Sequence, residues 1–105
     1  MESPNIEYIE KLSKGDITVK KMLIDVIKTE FLEEKEKYFE NFHKRKLKDI
    51  EENVHKLKHK ISILGLKDGH DFADLYEQNL RKQNTDGYED FEKTLVIMSD
   101  FIETL

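Results

Sequence analysis

Between residues 47 and 64 the chain places apolar side chains at alternating steps of three and four: Leu47, Ile50, Val54, Leu57, Ile61 and Leu64. Residues three and four apart share one side of an α-helix, whereas a strand repeats every two, so this rhythm commits the segment to a helix with one apolar face. A face that continuous must be covered by other helices. The same rhythm returns at the end of the chain through Tyr88, Phe91, Leu95, Met98, Ile102 and Leu105. Two such faces, with no alternating apolar–polar run anywhere, point to an all-α fold.

The remaining elements follow from breaks at isolated Gly, Asn and Asp residues. A short helix over 5–13 carries Ile6, Ile9 and Leu12 on one face and ends at Lys14-Gly15-Asp16, where the glycine tolerates a left-handed backbone. Asp16 or Thr18 is placed to cap a second helix over 18–41, with Val19, Leu23, Val26, Ile27, Phe31, Tyr38 and Phe42 inward. The patterned third helix covers 44–64. Asp68 is the expected cap of a fourth over 69–82, with Phe72, Leu75, Tyr76 and Leu80 inward, and Thr85-Asp86 opens a fifth that runs to the C-terminus. Connections of only a few residues favour antiparallel neighbours. The expected architecture is therefore an antiparallel four-helix bundle with a short additional N-terminal helix. At 105 residues there is room for a single domain spanning 1–105.

Several functions are disfavoured at this stage. No cysteine is present, so disulfides, thiolate nucleophiles and Cys-based metal sites have no residues to use. The longest apolar run, Leu95-Val96-Ile97-Met98, is too short to span a bilayer, and the start lacks the basic and apolar regions of a secretory signal. A cytoplasmic protein without membrane association is expected. The initiating Met and the end at Leu105 suggest a stand-alone chain, and the high charge suggests a monomer. Net charge is −5, unevenly spread: between His43 and Lys60 seven cations face three acids. Nucleic-acid binding by this basic stretch is disfavoured by the overall negative charge and by Asp49, Glu51 and Glu52 within it.

The third helix also holds the one constellation with chemical content. His55, Lys58, His59 and Ser62 form a stripe along it. Relative to the apolar face, His55 points about 130° away and Lys58 roughly 70°, which places the imidazole in water and the lysine at the shoulder. A neutral imidazole nitrogen is a nucleophile at physiological pH, and a lysine one turn on can neutralise phosphoryl oxygens. Taken alone, an exposed histidine among lysines is more often a solvated surface residue than a reactive one. His43 and His70 fall near helix ends and receive no role. Two histidines at i, i+4 have the spacing of a helical metal pair, but flanking Lys56 and Lys58 oppose a dication, so no metal and no cofactor is assigned.

The run from His55 to Leu66 resembles the signature helix of histidine-containing phosphotransfer (HPt) domains, in which the phosphorylated histidine is followed by an apolar residue at +2, Lys at +3 and Leu-Gly at +9 and +10. Here those places hold Leu57, Lys58, Leu64 and Gly65. The resemblance extends to Gly15-Asp16 before the long second helix, to the helix through Phe72 and Leu80, and to the closing amphipathic helix. It implies a phosphorelay intermediate and not an enzyme with turnover of its own. In such a protein His55 takes a phosphoryl group from a receiver-domain aspartate of a response regulator or hybrid kinase and returns it to another receiver, with Lys58 stabilising the phosphoryl oxygens. The receiver would supply the metal ion and acidic pocket. One departure stands out: the family usually has a small residue four places after the reactive histidine, where this chain has His59. His59, with Ser62 beyond it, is therefore a candidate modulator that narrows access, adds a donor or selects a partner. The competing expectation is a non-catalytic helical adaptor that binds a protein through the basic third-helix face and makes His55 dispensable.

Overall fold

Residues 2–105 are described by a computed structural model. In chain order the helices are α1 (Glu7–Ser13), α2 (Ile17–His43), α3 (Leu47–Ile63), α4 (Lys67–Arg81) and α5 (Tyr88–Glu103). There is no strand among the described residues, and no helix is long and apolar enough to cross a membrane. The all-α expectation therefore holds. α3 lies between α2 and α4, and α5 covers α4. Across the middle, Tyr38 of α2 meets Tyr76 of α4 and Phe91 of α5.

The patterned face of α3 is the centre of the core. Ile50, Val54, Leu57, Ile61 and Leu64 are all fully buried, and burial of each such side chain contributes about 1.5–3 kcal/mol before conformational entropy is charged against it. Phe91, Leu95, Met98 and Ile102 bury the corresponding face of α5. The two phenols inside this core are paired. The Tyr38 hydroxyl donates to Glu92 Oε2 at 2.8 Å and accepts from Tyr76 at 2.9 Å, since its single proton is already committed to the carboxylate. Burial is the main reason both phenols resist ionisation: Tyr76 is pushed up to about 12 and Tyr38 higher still.

Asp16 caps α2 as expected, accepting from the backbone N–H groups of Thr18 and Val19. Other expectations need correction. Val26, read as inward, is exposed, and so is Leu12, which was placed on the same face as Ile6 and Ile9. α2 is ~40 Å long, about ten residues longer than α3. With Lys60 near the end of α3 opposite Glu30 and Glu34, the first turns of α2 have α1 as their main neighbour. Asp68 does not cap α4, which begins at Lys67 with no local side-chain cap. Instead Glu2 accepts from the N–H groups of Asp68 and Gly69 at 3.0 and 2.8 Å, and Asn5 N–H donates to Leu64 O, so the N-terminal segment straps the α3–α4 corner. α5 opens at Tyr88, after Gly87, and not at Thr85.

The inward face of α4 also differs. Phe72 and Leu75 are exposed, and α4 buries Gly69, Ala73, Tyr76, Glu77 and Leu80. The reason is close approach. A Cβ added at Gly69 would lie 2.7 Å from Thr94 Cγ2 and 3.2 Å from Ile61 Cγ2, so the small residues are what let α4 sit tightly against its neighbours. Hydrophobicity ranks Phe72 and Leu75 above Gly69 and Ala73, but the packing ranks them the other way.

Candidate functional site

The tight α3–α4 seam brings an acidic stripe of α4 under the histidine stripe of α3. Glu77 is the hub: its side chain is only 3% exposed, and its carboxylate meets three cationic or basic groups. His55 Nδ1 lies 2.9 Å from Glu77 Oε1, while Arg81 Nη2 and Lys58 Nζ lie 2.8 and 3.5 Å from Oε2. Lys58 makes its shorter contact, 3.0 Å, to Asp74, and Arg81 Nε donates to Glu51 at 2.9 Å. The Lys58 hydrogen bond holds the Asp74 carboxyl below its usual range, and the Glu51 hydrogen bond holds the Arg81 guanidinium above its own.

This geometry decides which ring nitrogen of His55 is available. A carboxylate can only accept, so the nitrogen facing Glu77 carries the proton, and in the neutral ring Nε2 carries the lone pair. With 53% of the side chain exposed, that lone pair faces solvent. The outward direction read from helix angles is what the structure has. Lys58 is at the shoulder, 12% exposed, but its ammonium is shared between two carboxylates and is not a free charge.

His59 lies one turn beyond, its ring edge-on to that of His55 with centroids 4.8 Å apart and planes at 67°. It has no hydrogen-bonding partner among the described residues. Ser62 is also exposed and, with Tyr8, His59 and Ile63, lines a shallow depression. On the other side His55 borders an open cleft with Glu51, Glu52, Lys56, Glu77 and Arg81. The structure thus brings His55, Lys58 and His59 together and places Ser62 farther along the same surface.

Lys60, counted in the basic stretch, belongs to a different place. It is nearly buried on the α2 side, paired with Glu30 at 3.0 Å and Glu34 at 3.4 Å. The third-helix face is therefore less basic than the sequence count implies, because Lys58 and Lys60 are both neutralised by acids from other helices.

Glu77, Asp74 and Arg81 were not among the residues singled out from sequence. They had one available signal: spacings of three and four put all three on one face of α4. No family model matches the chain, and no curated protein and no solved structure matches it either.

Proposed function

We propose that the chain is a phosphorelay intermediate of the HPt kind, in which His55 accepts a phosphoryl group from a receiver-domain aspartate and passes it to a second receiver. The four longer helices then form the antiparallel bundle of such a carrier, with α1 as the additional short helix. The observation that carries this reading is the Glu77–His55 contact. It sets the tautomer that leaves Nε2 unprotonated, on an exposed ring, at the one position where the sequence resemblance also places the nucleophile.

In the forward step the Nε2 lone pair attacks the phosphorus of the acyl phosphate, the P–O bond to the receiver's carboxylate breaks, and that carboxylate leaves with the bonding pair. The ring, still protonated at Nδ1, becomes a phosphoimidazolium. Glu77 stabilises the positive charge that the ring acquires, as a buried carboxylate beside a developing cation does. Lys58 can turn to a phosphoryl oxygen by giving up its longer 3.5 Å contact to Glu77 while keeping Asp74. The carrier needs no metal for this; the partner supplies the ion and the acidic cleft. Tyr8, His59, Ser62 and Ile63 border the site and supply the contact surface for such a partner.

The test is transfer from a pre-phosphorylated receiver to the wild-type protein and to His55→Gln and His59→Gln, with the product examined for the acid lability of phosphohistidine. Label lost only in His55→Gln is the expected result. A wild-type protein that binds a receiver yet takes no label from any of a panel, or from acetyl phosphate, would instead make it a non-catalytic adaptor.

A further inference from the structure

His59 takes no part in the bond-making steps of phosphoryl transfer, yet its ring lies against that of His55. We propose that His55 and His59 together bind a divalent ion of the zinc, nickel or copper class, and that this ion and a phosphoryl group exclude one another at His55 Nε2. The consequence for phosphorylation rests on the reading above; the binding itself does not.

Four observations lead there. The two imidazoles are at i, i+4 on one exposed helix face, the spacing by which helices present paired histidines to zinc, and their centroids are 4.8 Å apart. His55 Nδ1 is engaged with Glu77, so its free donor is Nε2. A carboxylate behind a ligating imidazole fixes its tautomer and raises its basicity, as in many metal sites. His59 has no competing partner among the described residues, so it can offer a nitrogen at no cost in hydrogen bonds.

The fourth observation is electrostatic and reverses the expectation drawn from sequence. Lys56 and Lys58 flank the pair in the chain, which argues against a dication. In the fold, Lys58 is held by Asp74 and Glu77, and Arg81 by Glu51 and Glu77, while Glu52 lines the same cleft as His55. Counting Glu51, Glu52, Asp74 and Glu77 against Lys56, Lys58 and Arg81, the surroundings carry one net negative charge with both imidazoles neutral. A dication is not repelled from this site.

The protein supplies only two ligands. Among the described residues no three His, Asp or Glu side chains converge, so water or a donor from another molecule completes the coordination sphere. Imidazole donors and an incomplete shell suit zinc, nickel and copper and not magnesium or calcium, which take oxygen ligands. Coordination uses the same Nε2 lone pair that would attack phosphorus. The ion therefore blocks phosphorylation without unfolding the protein.

Calorimetric titration of the tag-free protein with zinc chloride, repeated with nickel chloride, tests the site. One saturable event per chain is expected, weakened at least about tenfold by either His55→Gln or His59→Gln, weakened to a lesser degree by Glu77→Gln, and unchanged by His70→Gln. No saturable binding, or equal binding by wild type and both histidine variants, overturns the proposal. In a second arm, phosphoramidate serves as a small donor with no metal site of its own. Zinc should slow labelling of the wild type and leave His59→Gln labelling unaffected; equal inhibition of both would overturn the mutual exclusion. A wild type that binds zinc but is never labelled leaves the metal site standing and removes the carrier function.

Discussion

Two polar clusters lie under the surface of this bundle, and they are built for different ends. The Tyr38–Tyr76–Glu92 cluster joins α2, α4 and α5, and both phenols are fully buried. The Glu77 cluster joins α3 and α4 and buries the acid and most of Lys58, leaving His55 and Arg81 half exposed. In the first, each polar group is where it is because the alternative is an unpaired group in the core, which is costly. In the second, a nearly buried carboxylate is surrounded by partners that retain access to water. One arrangement holds helices together, and the other holds a ring nitrogen in a chosen direction.

The largest expected effect on stability comes from Tyr38→Phe, which removes the shared hydroxyl. It should lower the unfolding free energy by about 1–3 kcal/mol in urea denaturation and leave phosphoryl transfer unchanged. Glu77→Gln should do the opposite. Transfer to His55 should fall by about 10–100-fold, the size of effect seen when the outer partner of a functional histidine is removed, while the urea midpoint moves less than for Tyr38→Phe. If Glu77→Gln is the more destabilising of the two and transfer is unaltered, the contrast between the clusters is gone.

The strap across the α3–α4 corner gives a smaller effect. Glu2→Gln weakens the side-chain cap that Glu2 places on α4 and should cost about 0.5–1 kcal/mol by thermal or urea unfolding, without changing transfer. The two clusters also differ in pH response. Tyr76 is raised from 10.0 to about 12 in the folded protein, chiefly by burial. A raised pKa contributes stability that is whole below 10 and is lost as pH climbs through the folded value, so the urea midpoint should fall between about 10 and 12, with phenolate absorbance rising in step. Asp74 is lowered by Lys58, so its contribution is present above the ordinary carboxylate range and is lost as pH falls through its depressed value. Because Asp74 is about half exposed, this is the smallest effect: Asp74→Asn should move the acid limb of the pH–stability curve by less than about 0.5 kcal/mol.

What was legible in the sequence divides along the same line. α3 and α5 were readable because large apolar residues recur at helical spacing and nothing competes with them for the core, and the direction of His55 followed from the same periodicity. On α4 Tyr76 and Leu80 were placed inward correctly, but Phe72 and Leu75 were not, because the rest of the buried face is made of Gly69, Ala73 and a charged Glu77, all less hydrophobic than the two exposed residues. Its packing depends on the close approach that small residues allow, a property of three helices and not of one. The partners of Lys58 and Lys60 were equally hidden, since Asp74, Glu30 and Glu34 reach them only through tertiary contact. So the nucleophile of the proposed site was visible from one helix, while the acid that orients it and the acids that neutralise its surroundings were not.

The destination of a phosphoryl group is the most direct test of His55 as the carrier. Protein labelled with ¹⁵N in its histidines, phosphorylated by a cognate receiver or by phosphoramidate, should show phosphorus–nitrogen coupling at Nε2 of His55, with Nδ1 of the same ring still protonated. Coupling at His59, coupling at Nδ1 of His55, or no phosphorylated histidine at all would contradict it.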